Sequence, residues 1–176
     1  MDTEGKLPIL RSMGEIAGNT SILIASEYLS NVNLGKGLML GGIAGLSPTD
    51  VVIIGSGTVG EYACRTALGL GCNVKVFDSS LSRLRRLHQY MQRNVSTSLI
   101  QPKSLRKALK RADVVIGALR SGDGRTPCVV SETMVKDMKE GSVIVDVSID
   151  HGGCFETSEV TTHKKPIFNK HGIVHY

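Results

Sequence analysis

The stretch VVIIGSGTVGEYACRTALGLGCNVKVFD, residues 51–78, contains an apolar run, three closely spaced glycines, an amphipathic segment, a second apolar run and a terminal acid. A continuous apolar run is typical of a parallel strand that is buried on both faces. The middle segment has the length and apolar spacing of a helix. Asp78 follows the last motif glycine, Gly60, by 18 residues and ends the second predicted strand. This arrangement predicts the strand, helix and strand of a dinucleotide-binding unit.

Each glycine of the GxGxxG motif has a physical role. Gly55 permits the sharp turn from strand to helix, Gly57 lets a diphosphate approach the backbone, and Gly60 lets the helix pack close to the strand. The free N–H groups of the first helical turn then face the diphosphate, and the helix dipole favours its negative charge. The motif therefore predicts a bound dinucleotide.

The acid at the end of the second strand predicts which dinucleotide binds. The Asp78 carboxylate can accept hydrogen bonds from both ribose hydroxyls of the adenosine and should repel a 2′-phosphate, so we expect NAD rather than NADP. Ser79, Ser80 and Arg83 follow directly and could instead coordinate a phosphate, which leaves NADP as the alternative.

The remaining chain continues the alternation of strands and helices. Further strands are predicted over residues 95–100, 113–119, 142–150 and 173–176, with helices over 81–91, 105–112 and 131–138. Such an alternation predicts an α/β Rossmann fold, a doubly wound parallel sheet of about six strands with helices on both faces. Before it lie a polar segment, residues 1–12, an amphipathic helix, residues 13–29, and a glycine-rich loop.

Composition excludes several classes of protein. The 176 residues carry a net charge of +5, and much of the excess lies in two clusters: Arg83, Arg85, Arg86 and Arg93, and then Lys103, Arg106, Lys107, Lys110 and Arg111. No aromatic platform accompanies them, so we interpret the clusters as solvated helix faces and expect no nucleic-acid partner. No apolar run approaches a membrane span and the first residues do not resemble a signal peptide, so we expect a cytoplasmic protein. The four cysteines lack metal-site spacing, and no metal is expected.

The carboxyl ends of the later strands should complete the site, because ligands of such sheets lie outside these ends. Strand 113–119 ends in Ala118 and Leu119, which suit contact with the cofactor. Strand 142–150 ends in Asp150, which is either an acid at the nicotinamide end or a carboxylate that caps a loop. His151 follows it and is interpreted as an exposed loop residue.

Five segments carry a resemblance to a known family: MGEIAG (13–18), GKGLMLGGIAGLSPTDVVIIGSGTVGEYA (35–63), ADVVIGAL (112–119), MKEGSVIVDVSIDHGGCFET (138–157) and VTTHKKPIFNKHGIVHY (160–176). Together they resemble the alanine dehydrogenases. The segments VDVSIDHGG and TTH are more specific than the glycine motif. The transhydrogenase α subunit and the saccharopine dehydrogenases are similar but more distant.

The resemblance implies an NAD-dependent oxidoreductase that oxidatively deaminates L-alanine to pyruvate and ammonia. It also implies that the chain is only the cofactor domain, with residues 1–12 as a linker or an artificial start, 13–33 as the hinge helix and 34–176 as the NAD-binding domain. The substrate domain and its catalytic groups are expected outside this chain. We therefore expect NAD(H) binding without turnover, contact with L-alanine or pyruvate only through the missing domain, and a homo-oligomer at full length.

The resemblance also assigns residues to parts of the cofactor. It implies that the diphosphate lies on Ser56, Gly57, Thr58 and Val59, the adenosine ribose on Asp78 and the adenine end near Arg83. Ala118 and Leu119 match the backbone that lines the cofactor, and Ile149, in the same specific segment as Asp150, is also expected to contact the cofactor. Asp150 matches the acid beside the nicotinamide ribose that assists catalysis.

Two departures from the family pattern stand out. Gly14 occupies the position where the family usually has Ser near the cofactor phosphates, and RSGDGRTP (120–127) replaces a more apolar loop. Two other functions stay open from the sequence. One is the NAD(H)-binding part of a transhydrogenase-like protein, and the other is an NAD-sensing module without catalysis.

Overall fold

The computed structural model describes residues 8–32, 35–91, 95–120 and 124–176. Its elements, in chain order, are α1 (Pro8–Ser30), β1 (Asp50–Ile54), α2 (Thr58–Gly69), β2 (Asn73–Asp78), α3 (Leu81–Tyr90), β3 (Ser96–Leu99), α4 (Pro102–Leu109), β4 (Val114–Gly117), α5 (Glu132–Lys136), β5 (Val143–Asp146), a 3-10 turn (Ile149–His151), β6 (Phe168–Lys170) and β7 (Ile173–His175).

The strands form one sheet in the order β3-β2-β1-β4-β5-β7-β6. All neighbours are parallel except the last pair, in which β6 runs antiparallel to β7. Buried side chains on one face pack against α1, α2 and α3, and those on the other face pack against α4 and α5. The predicted doubly wound α/β fold is confirmed, with seven strands instead of about six.

The additional strand is β6, in a segment where the sequence shows no periodicity. It is only three residues long and pairs with β7 through a tight turn at His171 and Gly172, both with positive φ. A two-residue turn with positive φ at both positions matches the twist of a β-hairpin. Strand β7, predicted as the last strand, therefore pairs on its outer side with the short antiparallel strand β6.

Several predicted boundaries are wrong, and helix α4, predicted over residues 105–112, spans Pro102–Leu109. Helix α1 begins at Pro8 rather than at residue 13, and residues 8–12 belong to it. Strand β5 ends at Asp146 and does not reach residue 150. It stops there because the Asp146 side chain accepts a hydrogen bond from the N–H of Ser148 and the chain turns into the 3-10 turn.

Helix α1 packs across α2 at a close crossing. A Cβ on Gly18 would lie 2.4 Å from the carbonyl oxygen of Val59, so only glycine fits there. The inner side of α1 buries Ile22, Ala25 and Leu29, whereas apolar side chains on its outer side are exposed. Among the described helices, none combines the length and the apolar character needed to cross a membrane.

Candidate dinucleotide site

The turn between β1 and α2 is built on two glycines that no other residue could replace. Gly55 has a φ of +113°, and a Cβ there would lie 2.4 Å from the carbonyl oxygen of Ala118. A Cβ on Gly60 would lie 1.9 Å from the carbonyl oxygen of Gly55. The two glycines therefore let β1, β4 and α2 approach one another closely, as the sequence predicts.

The third glycine faces open space. Gly57 occupies the N-cap position of α2, and no side chain caps this helix. A Cβ on Gly57 would meet no atom within 4 Å. The unpaired N–H groups of a helical first turn attract anions, and here Thr58 and Val59 begin that turn beside a free volume. This arrangement fits a dinucleotide diphosphate at the position that the motif predicts.

Asp78 ends β2 beside this turn, and its carboxylate is buried, with 1% of the residue exposed. Its Oδ2 accepts hydrogen bonds from the N–H and the hydroxyl of Ser56, at 2.7 and 2.8 Å. Its Oδ1 accepts one from the N–H of Ser80 at 2.8 Å. A carboxylate offers about four acceptor positions, so Oδ1 retains one for a further donor. The sequence predicts the position of Asp78 but not its bond to the glycine turn.

Arg83 lies on the first turn of α3, next to the same carboxylate. The Ser80 hydroxyl caps α3 by accepting a hydrogen bond from the N–H of Arg83 at 3.4 Å. The Arg83 side chain is exposed. Arg83 and Asp78 are therefore linked through Ser80, which binds both.

The ends of β4 and β5 lie on the other side of the turn. Ala118 and Leu119 are each 8% exposed, and Ala118 lies directly against Gly55. The hydroxyl of Ser148 donates a hydrogen bond to the carbonyl oxygen of Leu119 at 2.7 Å. The backbone after β4 is thus fastened to the backbone after β5.

The 3-10 turn Ile149–His151 follows, and it carries the predicted acid. The Asp150 side chain is exposed, and within the described parts of the chain its carboxylate has no hydrogen-bond or ion-pair partner. Ile149 and Asp150 line a cavity of about 280 Å³ between this turn and α1, together with Thr20, Glu159 and Thr161. His151 is exposed, as predicted for a loop histidine. Asp150 is therefore free to meet a ligand.

Asp146, a buried acid at the end of β5, was not among the site residues predicted from the sequence. It is 5% exposed and accepts hydrogen bonds from three groups of the segment that follows it. The available signal is an acid at the end of a strongly apolar run. The predicted strand ran past it, because the apolar pattern continues through Val147 and Ile149.

The two departures from the family pattern have different surroundings. A Cβ on Gly14 would lie 3.4 Å from Thr58, the first residue of α2, which is ordinary contact. In the altered loop 120–127, residues 121–123 lie outside the described residues. The Arg125 side chain covers Gly152, whose added Cβ would lie 2.6 Å from it.

The basic helix α4 does not face this site. Asp137 pairs with Arg106 of α4 at 2.5 Å and with Lys110, which directly follows the helix, at 3.5 Å. Lys107 and Arg111 line a larger cleft of about 480 Å³ with Lys75, at the amino ends of β1, β2 and β3. That cleft is at the opposite edge of the sheet from the glycine turn, and we assign it no part in dinucleotide binding.

The four cysteines are free thiols. Burial raises the pKa of the Cys64 and Cys154 thiols to about 12, so both stay protonated at neutral pH. Cys154 lies near the Ser148 hydroxyl, at 3.5 Å, and packs without exposure. These two thiols are therefore core residues and not nucleophiles.

Comparisons with known proteins agree with this geometry. A family described as "Alanine dehydrogenase/PNT, C-terminal domain" matches residues 21–176. The chain is 43% identical to alanine dehydrogenase from Staphylococcus epidermidis over 174 residues, which are 98% of this chain and 47% of that protein. It is also 43% identical to alanine dehydrogenase from Methanococcus maripaludis over 171 residues, covering 97% of this chain and 46% of that protein.

Solved structures give the same result. An L-alanine dehydrogenase matches with a TM-score of 0.93 and 38% identity, covering 99% of this chain and 48% of that one. A transhydrogenase from Sinorhizobium meliloti matches with a TM-score of 0.78 and 22% identity, over 99% of this chain and 49% of the other. The second match supports the fold alone. The chain spans about half the length of the relatives that it matches.

Proposed function

The chain belongs to the family of alanine dehydrogenase and PNT C-terminal domains, and from this membership we propose that it is the NAD(H)-binding domain of an alanine dehydrogenase. The observation that carries the proposal is the uncapped start of α2 beside open space at Gly57, with the Asp78 carboxylate at the adjoining strand end. Identity of 43% with alanine dehydrogenases favours this function over that of the transhydrogenase, for which 22% identity supports the fold only.

We assign the cofactor contacts as follows. The N–H groups of Gly57, Thr58 and Val59 hold the diphosphate, beside Ser56. The free acceptor position on Asp78 Oδ1 takes a ribose hydroxyl, and Arg83 lies at the adenine end. Ala118, Leu119 and Ile149 line the nicotinamide half, where the exposed Asp150 carboxylate completes the site.

In the full-length enzyme, L-alanine and water would give pyruvate, ammonium and a proton, while bound NAD would accept the hydride from the alanine Cα. The residues of this chain hold and orient the reaction partners. Asp150 forms no ion pair within the described parts of the chain and can therefore interact with positive charge or with a proton at the nicotinamide end. The substrate carboxylate and the closing of the site against water depend on residues outside this chain, so we expect the chain alone to bind NADH without turnover.

We also propose that residues 13–33 connect the two domains, and that the outer side of α1 contacts the substrate domain. Ile9, Met13, Ile16 and Leu23 recur on that side and are 59–76% exposed. Exposed apolar stripes mark contact surfaces. We expect a cysteine placed by Ile16→Cys to react with a thiol reagent in this chain and to be protected in the full-length protein. Equal reactivity in both would remove this part of the proposal.

The test of cofactor binding is calorimetric titration with NADH and NADPH. We expect NADH to bind at least about tenfold more tightly, because the Asp78 carboxylate repels a 2′-phosphate. Equal or tighter binding of NADPH would overturn the assignment of NAD. Absence of binding of either would overturn the cofactor site.

A matched pair of glycines tests the diphosphate contact. Gly57→Ala and Gly69→Ala each add a methyl group that meets no atom of the folded chain, at opposite ends of α2. We expect Gly57→Ala to weaken NADH binding by about tenfold or more, because the methyl group occupies the volume assigned to the diphosphate. Gly69→Ala should leave NADH binding unchanged. Equal affinities of the two variants would contradict the assignment.

A further inference from the structure

The Asp146 carboxylate connects both ends of the segment 148–158. Its Oδ1 accepts a hydrogen bond from the N–H of Ser148 at 3.1 Å. Its Oδ2 accepts one from the N–H of Cys154 at 2.9 Å and one from the hydroxyl of Ser158 at 2.7 Å. Because these donors precede and follow the Ile149–His151 turn, one side chain closes the loop that carries Asp150.

The backbone around Asp146 leaves room for this carboxylate and for little else. A Cβ on Gly117, at the end of β4, would lie 2.7 Å from Oδ1. A Cβ on Gly153, which has a φ of +74°, would lie 2.7 Å from Oδ2. Gly153 also donates its N–H to the carbonyl oxygen of Ser148 at 3.0 Å, which closes the turn from the backbone. The loop is therefore shaped around the position of the carboxylate.

No cation neutralises this carboxylate within the described parts of the chain, where its bonds come from N–H and O–H groups. Burial raises the pKa of Asp146, and the hydrogen bonds from the Ser158 hydroxyl and from the N–H groups of Cys154, Ser148 and Phe155 offset that effect only in part. A buried charge without a counter-ion is costly. We therefore attribute the role of the Asp146 carboxylate to the loop geometry that its hydrogen bonds impose.

We propose that Asp146 is a positioning residue that holds the Ile149–His151 turn in place, so that Ile149 and Asp150 meet the nicotinamide half of the dinucleotide. This inference rests on the proposed function, which puts the nicotinamide end at that turn. It predicts that Asp146 affects one half of the ligand only, because the diphosphate and the adenosine bind at α2 and Asp78.

The experiment compares the affinities of NADH and ADP for the wild-type chain and for Asp146→Asn, by calorimetry. The substitution replaces an acceptor oxygen with an amide nitrogen that faces N–H and O–H donors, so at least one hydrogen bond of the loop is lost. We expect NADH to bind about tenfold more weakly and ADP to change by less than about twofold. ADP lacks the nicotinamide riboside and does not reach the turn.

A matched control is Asp113→Asn, the same chemical change in another buried aspartate at the opposite edge of the sheet. It should leave both affinities of the folded chain unchanged. Equal weakening of NADH and ADP by Asp146→Asn, or no weakening of NADH, would overturn the inference while wild-type binding of NADH upholds the proposed function. If the wild-type chain binds ADP but gains nothing from the nicotinamide riboside of NADH, the inference is overturned as well.

Two further variants keep the test decisive if Asp146→Asn does not fold. Ser158→Ala removes one donor and retains the carboxylate, so we expect NADH to bind about threefold more weakly with ADP unchanged. Asp150→Asn should weaken NADH selectively, and adding Ser158→Ala to it should cost little more, because both act through the same turn. Independent, additive losses would contradict the role of Asp146 in positioning Asp150.

Discussion

The amino ends of the parallel strands (the amino edge of the sheet) and their carboxyl ends (the carboxyl edge) each hold a buried aspartate. The two aspartates differ in which groups donate hydrogen bonds to the carboxylate. At the amino edge, Asp113 Oδ1 accepts hydrogen bonds from the ammonium groups of Lys36 and Lys139, at 2.8 and 3.0 Å, and Oδ2 accepts one from the N–H of Asp50. At the carboxyl edge, Asp146 accepts bonds only from N–H and O–H groups among the described residues. We therefore interpret Asp113 as a carboxylate that stabilises the fold and Asp146 as one that determines the conformation of a loop.

The pKa values of the two acids reflect this difference. Burial raises the pKa of both carboxyls. For Asp113, the hydrogen bonds from Lys36, the Asp50 N–H and Lys139 outweigh burial, and the net pKa is lowered. For Asp146, burial prevails and the net pKa is raised. An opposite charge within hydrogen-bond distance therefore decides the sign.

The largest effect on stability is expected from Asp113→Asn. Removing one partner of a buried ion pair leaves the other charge uncompensated, and here Lys36 loses its anion with only 14% of its side chain exposed. We expect a loss of about 3 kcal/mol in the free energy of unfolding, measured with urea. A larger loss in the free energy of unfolding for Asp146→Asn than for Asp113→Asn would contradict the proposed difference between the two edges.

The pH dependence of stability should have opposite signs at the two edges. The folded chain binds a proton at Asp113 less readily than the unfolded chain, so this contribution is present above the unfolded pKa and is lost as the pH falls through the folded pKa. The folded chain binds a proton at Asp146 more readily, so lowering the pH through the raised pKa adds stability.

Urea unfolding between pH 7 and about pH 2.5 tests these signs, because the lowered pKa of Asp113 lies below the ordinary value for an aspartate. The difference in unfolding free energy between the wild type and Asp113→Asn should shrink as the pH falls, chiefly below about pH 4. The difference between the wild type and Asp146→Asn should grow over the same range. We expect changes of about 1 kcal/mol, and slopes of the same sign would contradict the assigned pKa directions.

At the carboxyl edge, sequence patterns predicted the features whose residues lie close together in the chain. The β1, α2 and β2 unit follows from apolar runs and glycine spacing, because each of its constraints lies within residues 51–78. The bond between Ser56 and Asp78 joins residues 22 positions apart, and no periodicity reveals it. Asp146 was passed over because an apolar run shows burial but not where a strand ends.

The amino edge was hardly visible in the sequence. Asp113 was predicted only as the first residue of a strand, and Lys36 lies 77 residues away in a glycine-rich loop without regular structure. Contacts of that range depend on the topology of the sheet, which places the start of β4 beside the loop before β1. Ion pairs between residues that are far apart in the sequence can be recognised only once the strand order is known.

The smallest expected effect tests whether the burial of a lysine, or only its pairing with Asp113, determines how much it stabilises the amino edge. Lys36 and Lys139 donate to the same oxygen of Asp113, but their side chains are 14% and 43% exposed. Exposed pairs contribute about 0–1 kcal/mol because water and salt screen them, whereas a desolvated partner contributes more. We therefore expect Lys36→Gln to lower the free energy of unfolding by about 1–2 kcal/mol and Lys139→Gln by less than about 0.5 kcal/mol. Adding 0.5 M salt should weaken the Lys139 contribution first, and equal losses from both variants would show that the number of cations, rather than their burial, stabilises this edge.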